Sequence, residues 1–178
     1  MVIKYIIGHW SAGGYVPTAF EKQHYQALIN GDGKMFLGGK VGCTASTGGM
    51  NSITYNICCC GGLDSTPIGA KQMESFCKYV AEKLRDYNLG VDKFYTHAEI
   101  GEMTRNYQTK QRGGTLKNAD CGCKLISELL PYNNYLPQNV GKVDLRKLPD
   151  KSKKTSNYSA KASGDYLRNK IRWYMSKL

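Results

Sequence analysis

The 178-residue sequence holds only three histidines, His9, His24 and His97. Imidazole is the commonest side chain for binding a metal or moving a proton near neutral pH, so in a chain this poor in it placement is informative. Two of the three stand where strands are expected to end: His9 follows Ile6-Ile7-Gly8, and His97 follows Phe94-Tyr95-Thr96. Strand ends in an α/β fold gather at a common rim, where rigid backbone can hold ligands in fixed geometry. A hydrolytic zinc site needs three protein ligands, commonly His with a further His or a carboxylate, and one open position for water. His9 and His97 would supply two. The alternative is a pair of histidines satisfied by hydrogen bonds at the edge of a core. Seven cysteines, at 43, 58, 59, 60, 77, 121 and 123, lack the regular spacing of a disulfide framework and are expected to be reduced thiols. Cys58, Cys59 and Cys60 lie in an apolar stretch and read as small hydrophobes.

The elements that would position these residues can be read from pattern. Residues 2–8 are β-rich. A second strand is expected from Tyr25 through Ala27, Leu28 and Ile29 into the turn Asn30-Gly31-Asp32-Gly33, which leads to Met35-Phe36-Leu37 as a hairpin. A third is expected from Ile53 to Cys60, closed by Gly61-Gly62. A long helix should follow Thr66-Pro67, with Thr66 as cap and Pro67 at the first helical position. Met73, Phe76, Val80, Leu84 and Tyr87 give it one apolar face, and Gly90 ends it. Val91 to Thr96 reads as a strand that delivers His97. Alternating strands and a long helix predict an α/β sandwich, one sheet with helices packed on it. From 101 to 141 the pattern is irregular, apart from a short helix at Leu125 to Leu130, and reads as an insertion over one edge. Residues 151–163 read as a linker. Residues 165–178 form an amphipathic helix with Leu167, Ile171, Tyr174 and Leu178 on one face.

Ile6-Ile7-Gly8-His9-Trp10-Ser11-Ala12-Gly13 resembles the opening motif of the type 2 N-acetylmuramoyl-L-alanine amidases, the family of phage lysozyme-type amidases and peptidoglycan recognition proteins. There an apolar strand ends in a zinc-binding His followed by a loop of small residues. His24 to Gly33 is similar to the family's aromatic-led strand and Asp-Gly turn. Asn51 to Gly62 is similar to its central strand, Gln72 to Leu84 to its long helix, and Thr96-His97-Ala98-Glu99-Ile100 to its second ligand motif. Gly141-Lys142-Val143-Asp144-Leu145-Arg146-Lys147-Leu148-Pro149 is similar to the third, in which a Lys precedes the ligand by two.

The resemblance implies a central mixed β-sheet flanked by helices. Its catalytic domain would span 1–150, with an insertion at about 101–141, and 151–178 would be a basic linker and C-terminal helix. It further implies that His9, His97 and Asp144 bind Zn2+ and that the metal polarises an amide carbonyl and activates water. Lys142 would point at the developing oxyanion, and the Tyr25 phenol would contact the metal-activated water or the intermediate. Without the resemblance Lys142 is an ordinary surface lysine. The stretch Asn56-Ile57-Cys58-Cys59-Cys60 has no carboxylate where some members place a general base, so base work would fall to Tyr25 or to the activated water. Cys121 is the rival third ligand, since thiolate also binds zinc well. Glu99 could orient a ligand or stand in solvent, and His24 is expected to face away from the site.

The substrate so implied is bacterial peptidoglycan, cut between N-acetylmuramic acid and L-alanine. A phage endolysin is the leading form. An interbacterial wall-degrading toxin and a non-catalytic peptidoglycan-binding module are the alternatives. The opening residues show no basic leader and apolar core of a secretion signal. The chain is therefore expected to be made in the cytoplasm, to reach the wall after release or delivery, and to work as a monomer.

A formal charge of +11 draws a protein toward polyanions, and residues 151–178 carry +7 of it. That tail suggests anionic wall polymers or a membrane surface as partners; nucleic acid is not expected. No apolar run approaches the roughly 20 residues that span a bilayer.

Overall fold

A computed structural model describes residues 2–152 and 154–178. Its organising element is β1 (Tyr5–Trp10), buried at every residue. β1 pairs in parallel with β4 (Thr54–Cys59) on one side and β5 (Phe94–Thr96) on the other. Beyond β4 lies β2 (Ala27–Ile29), parallel to it, and then the antiparallel edge strand β3 (Met35–Leu37). The sheet is therefore mixed, in the order β3-β2-β4-β1-β5. Parallel strands buried on both faces must be nearly continuous in apolar residues, and Tyr5-Ile6-Ile7 and Ile57-Cys58-Cys59 are.

Helices cover both faces. On one, Ile6, Ile29 and Ile57 pack against Met73, Phe76, Val80 and Leu84 of α2 (Ala70–Asp86). On the other, Tyr5 and Ile7 pack against Ala98, Ile100 and Met103 of α3 (His97–Gln111) and against Leu129 and Leu136 from the 3₁₀ turns that follow it. A short α1 (Ala19–His24) precedes β2. Because side chains alternate along a strand, His9 shares the α3 face with Tyr5 and Ile7.

Several sequence expectations are corrected. The strand read from Tyr25 begins at Ala27, because Thr18 and Glu21 form a capping box that starts α1 and carries the helix through His24. His24 therefore ends a helix, its Nδ1 bonded to the Phe20 carbonyl at 2.8 Å. α2 starts at Ala70 with Gly69 as its cap, since the Thr66 hydroxyl donates instead to the Gly13 carbonyl. It ends at Asp86, and Gly90 opens a 3₁₀ turn, Val91–Lys93, so the next strand starts only at Phe94.

The stretch from residue 101 is not irregular from its start, because α3 runs on to Gln111. Its pattern hid it: Glu99, Glu102, Thr104 and Asn106 are polar yet buried, so the helix has little apolar stripe. Nor is 151–163 simply a linker. Thr155–Asn157 forms β7, antiparallel to β6 (Lys147–Pro149), and α4 (Ala160–Met175) starts on a Ser159 cap. Leu167 and Ile171 of α4 are fully buried in the core beside α2. Leu167→Ala is expected to cost about 2–5 kcal/mol through the cavity it leaves, readable as a lower midpoint in denaturant unfolding. A helix that served only as an exposed tail would show no such loss.

Candidate metal centre

Strand register brings the two histidines together. Gly8 pairs with Thr96 in the parallel ladder of β1 and β5, so one step further His9 stands beside His97, the first residue of α3. Their rings meet edge to face with centroids 4.7 Å apart. Asp144 arrives from the loop before β6. Its Oδ2 lies 3.2 Å from His9 Nδ1 and 3.3 Å from His97 Nδ1. One ligand atom from each of the three side chains falls within 4.8 Å of the others, and all three residues are buried. Among the described residues this is the one group of at least three His, Cys, Asp or Glu side chains so placed. Cys121, the rival ligand, is exposed and outside it.

Two asparagines that sequence reading passed over set the imidazoles. Asn56 Oδ1 lies 2.9 Å from His9 Nε2 and also accepts the Thr47 hydroxyl at 2.8 Å, while Asn56 Nδ2 donates to Thr54. Asn139 Oδ1 lies 2.9 Å from His97 Nε2 and accepts the Gly48 N–H, while its Nδ2 donates to the Gly48 and Leu136 carbonyls. In both cases the amide nitrogen is committed elsewhere, so the oxygen faces the ring and Nε2 must carry the proton. A neutral ring protonated there leaves Nδ1 bare. Two Nδ1 atoms and a carboxylate oxygen thus converge on one point, where a proton or a metal cation must sit between nitrogen and oxygen. The set fits a divalent metal with nitrogen and oxygen ligands.

The electrostatics agree. Burial lowers the His9 pKa from its usual 6.5, an effect only partly opposed by Asp144. Burial alone would raise the Asp144 carboxyl, but the two imidazoles beside it outweigh that and hold it well below the usual carboxylate range. Neutral imidazole and ionised carboxylate are the forms a metal ligates. Asn56→Ala is expected to weaken zinc binding about 10–100-fold, measured by competition with a chromophoric chelator, because His9 loses the partner that sets its tautomer.

The other expected residues are placed as follows. Tyr25 caps the end of α1, its ring 5.1 Å from that of His9. Burial, with Cys58 and Asp144 nearby, raises its phenol well above the usual value, so it is suited to donate a hydrogen bond rather than to act as a base. Lys142 is exposed on the loop two residues before Asp144. Glu99 neither touches a ligand nor stands in solvent: it completes a capping box with Thr96 and pairs with Arg168. Asn56 left a trace in the sequence, since Thr54 and Asn56 alternate as polar residues inside an apolar strand. Asn139 left none.

A mixed sheet with two imidazoles and a carboxylate gathered on its rim defines the class, an α/β protein with a donor set that could hold a metal ion. The chain belongs to the N-acetylmuramoyl-L-alanine amidase family, whose sequence pattern matches residues 1–112. That match holds His9 and His97 and stops before Asp144, which rests on the geometry. Among solved structures the chain is similar to the Staphylococcus aureus hydrolase AmiA in complex with its ligand, at 16% identity and a TM-score of 0.50, over 99% of this chain and 77% of that one. It is also similar to the N-acetylmuramoyl-L-alanine amidase LysC from Clostridium intestinale URNW, at 16% identity and a TM-score of 0.45, over 53% of this chain and 69% of that one. No curated protein matches it in sequence.

Proposed function

We propose that this family member is a zinc-dependent amidase that hydrolyses the bond between the lactyl group of N-acetylmuramic acid and L-alanine in peptidoglycan. The observation that carries the metal is the convergence of His9 Nδ1, His97 Nδ1 and Asp144 Oδ2, with each Nε2 at hydrogen-bond distance from an asparagine oxygen. Zinc held there would polarise the scissile carbonyl and activate water. Asn56 and Asn139 keep the rings turned toward the site. The Tyr25 phenol, beside His9, donates to oxygen at the reacting centre, and the Lys142 ammonium offsets negative charge as the carbonyl becomes tetrahedral.

The complete donor set favours an enzyme over a module that only binds the wall. The net charge of +11 suits an endolysin that acts on an anionic wall after release, and a culture lysing only when a membrane-pore former is co-expressed would support that role. Any contact of the basic segment with wall polymers or membrane falls to exposed groups such as Lys151, Arg172 and Lys177 beside Trp173, since Arg168 and Lys170 are paired within the fold.

The reaction is tested by mass analysis of digested peptidoglycan. Free stem peptides with a new L-alanine amino terminus are expected, lost on chelation and restored by zinc. Cuts elsewhere in the polymer, or activity indifferent to chelator, would overturn the assignment.

A further inference from the structure

α4 lies wholly outside the segment that matches the family, yet one of its side chains reaches the strand that delivers a ligand. Arg168 is half-buried, and its guanidinium forks onto the buried Glu99, with Nη2 donating to Oε1 at 2.7 Å and Nη1 to Oε2 at 3.0 Å. Nη1 also donates to the Phe94 carbonyl at 3.0 Å, and Nη2 to Asp165 at 2.8 Å. Glu99 in turn accepts the Thr96 N–H at 2.9 Å, and its own N–H donates to the Thr96 hydroxyl. Phe94 and Thr96 are the two ends of β5, and His97 comes next.

β5 is only three residues long and lies at the edge of the sheet, with β1 as its one strand neighbour among the described residues. Arg168 therefore grips it at both ends, at Phe94 directly and at Thr96 through Glu99. α4 can come this close because position 164 is glycine; a Cβ there would strike the Glu99 carboxyl.

We infer that Arg168 is a positioning residue for His97: the C-terminal helix sets the direction of a metal ligand that Arg168 never touches. The inference rests on the metal reading above. A bidentate guanidinium holds its partner in plane as well as in place, which a lysine cannot do. Ligand geometry needs that control to within about 0.5 Å.

The test separates positioning from simple burial of an ion pair. Arg168→Met leaves Glu99 buried without its partner and is expected to lower both thermal stability and zinc affinity. The double variant E99M/R168M replaces the pair with apolar side chains, which commonly restores stability. It leaves the Phe94 carbonyl and Thr96 N–H unheld. Its melting temperature is expected to return towards wild type while its zinc affinity, measured by chelator competition, stays about 10–100-fold weaker. R168K, a folded control that keeps the charge but not the fork, should bind zinc with intermediate affinity. Wild-type zinc affinity in E99M/R168M or in R168K would overturn the role. A wild-type chain that takes up no zinc would instead overturn the metal centre, and this role with it.

Discussion

Asp144→Ala is expected to abolish zinc uptake and to cut amidase activity about a thousandfold or more, since a metal supplies several kcal/mol of transition-state charge stabilisation and each 1.36 kcal/mol is tenfold in rate. Cys121→Ala should leave both at the wild-type level. The contrast follows from position. Asp144 is the sole carboxylate in the buried group with His9 and His97, whereas Cys121 is exposed elsewhere. Without Asp144 the two imidazoles form a two-ligand site with no anionic donor. Zinc content of the purified chain and release of stem peptides from wall fragments measure the two effects. A Cys121→Ala chain that loses zinc while Asp144→Ala keeps it would move the third ligand into the stretch after α3.

Gly8→Ala is the second large effect, and it acts on stability and site together. A Cβ at residue 8 would lie 2.8 Å from Leu145 Cδ1, 2.9 Å from Phe76 Cζ and 3.1 Å from Phe94 Cζ. Those neighbours are fully buried, so none can yield into solvent. Overpacking of this kind costs about 1–3 kcal/mol, or roughly 2–12 °C in melting temperature at this chain length. The more telling loss is metal. Leu145 follows Asp144, and its backbone sits at φ 64°, a left-handed conformation that a leucine holds at a cost of about 1–3 kcal/mol. The side chain is seated in the space that Gly8 leaves over β1, and this contact keeps the loop, and Asp144 with it, against the histidines. Gly8→Ala is therefore expected to weaken zinc binding as well as to lower the melting temperature. A variant that melts lower but binds zinc as wild type would separate the glycine from the ligand loop.

The loop chemistry around Asp144 also shows where local pattern stops being informative. β1, β4 and the apolar face of α2 were legible because buried parallel strands and an amphipathic helix each impose a periodicity that residue types must obey. His9 and His97 were legible for the same reason, as polar residues at the ends of apolar runs. α3 was not, since its buried face mixes Ala98, Ile100 and Met103 with Glu99, Glu102, Thr104 and Asn106, the polar four being largely satisfied by specific hydrogen bonds and ion pairs. Asn139 was invisible because its role depends on a turn 91 residues away at Gly48.

What the sequence by itself determined was the sheet-and-helix class, the two strand-end histidines as candidate ligands and, through the motif around Lys142, a candidate for the third. Only the tertiary structure decided that Asp144 rather than Cys121 joins the histidines. That choice turns on which distant segment can be seated beside β1, through the contact of Leu145 with Gly8. Only it showed, too, that the basic C-terminal helix packs into the core and holds the strand before His97. A pattern of charges along a chain cannot tell a solvated lysine from a guanidinium paired within the fold, whose partners are brought to it by folding.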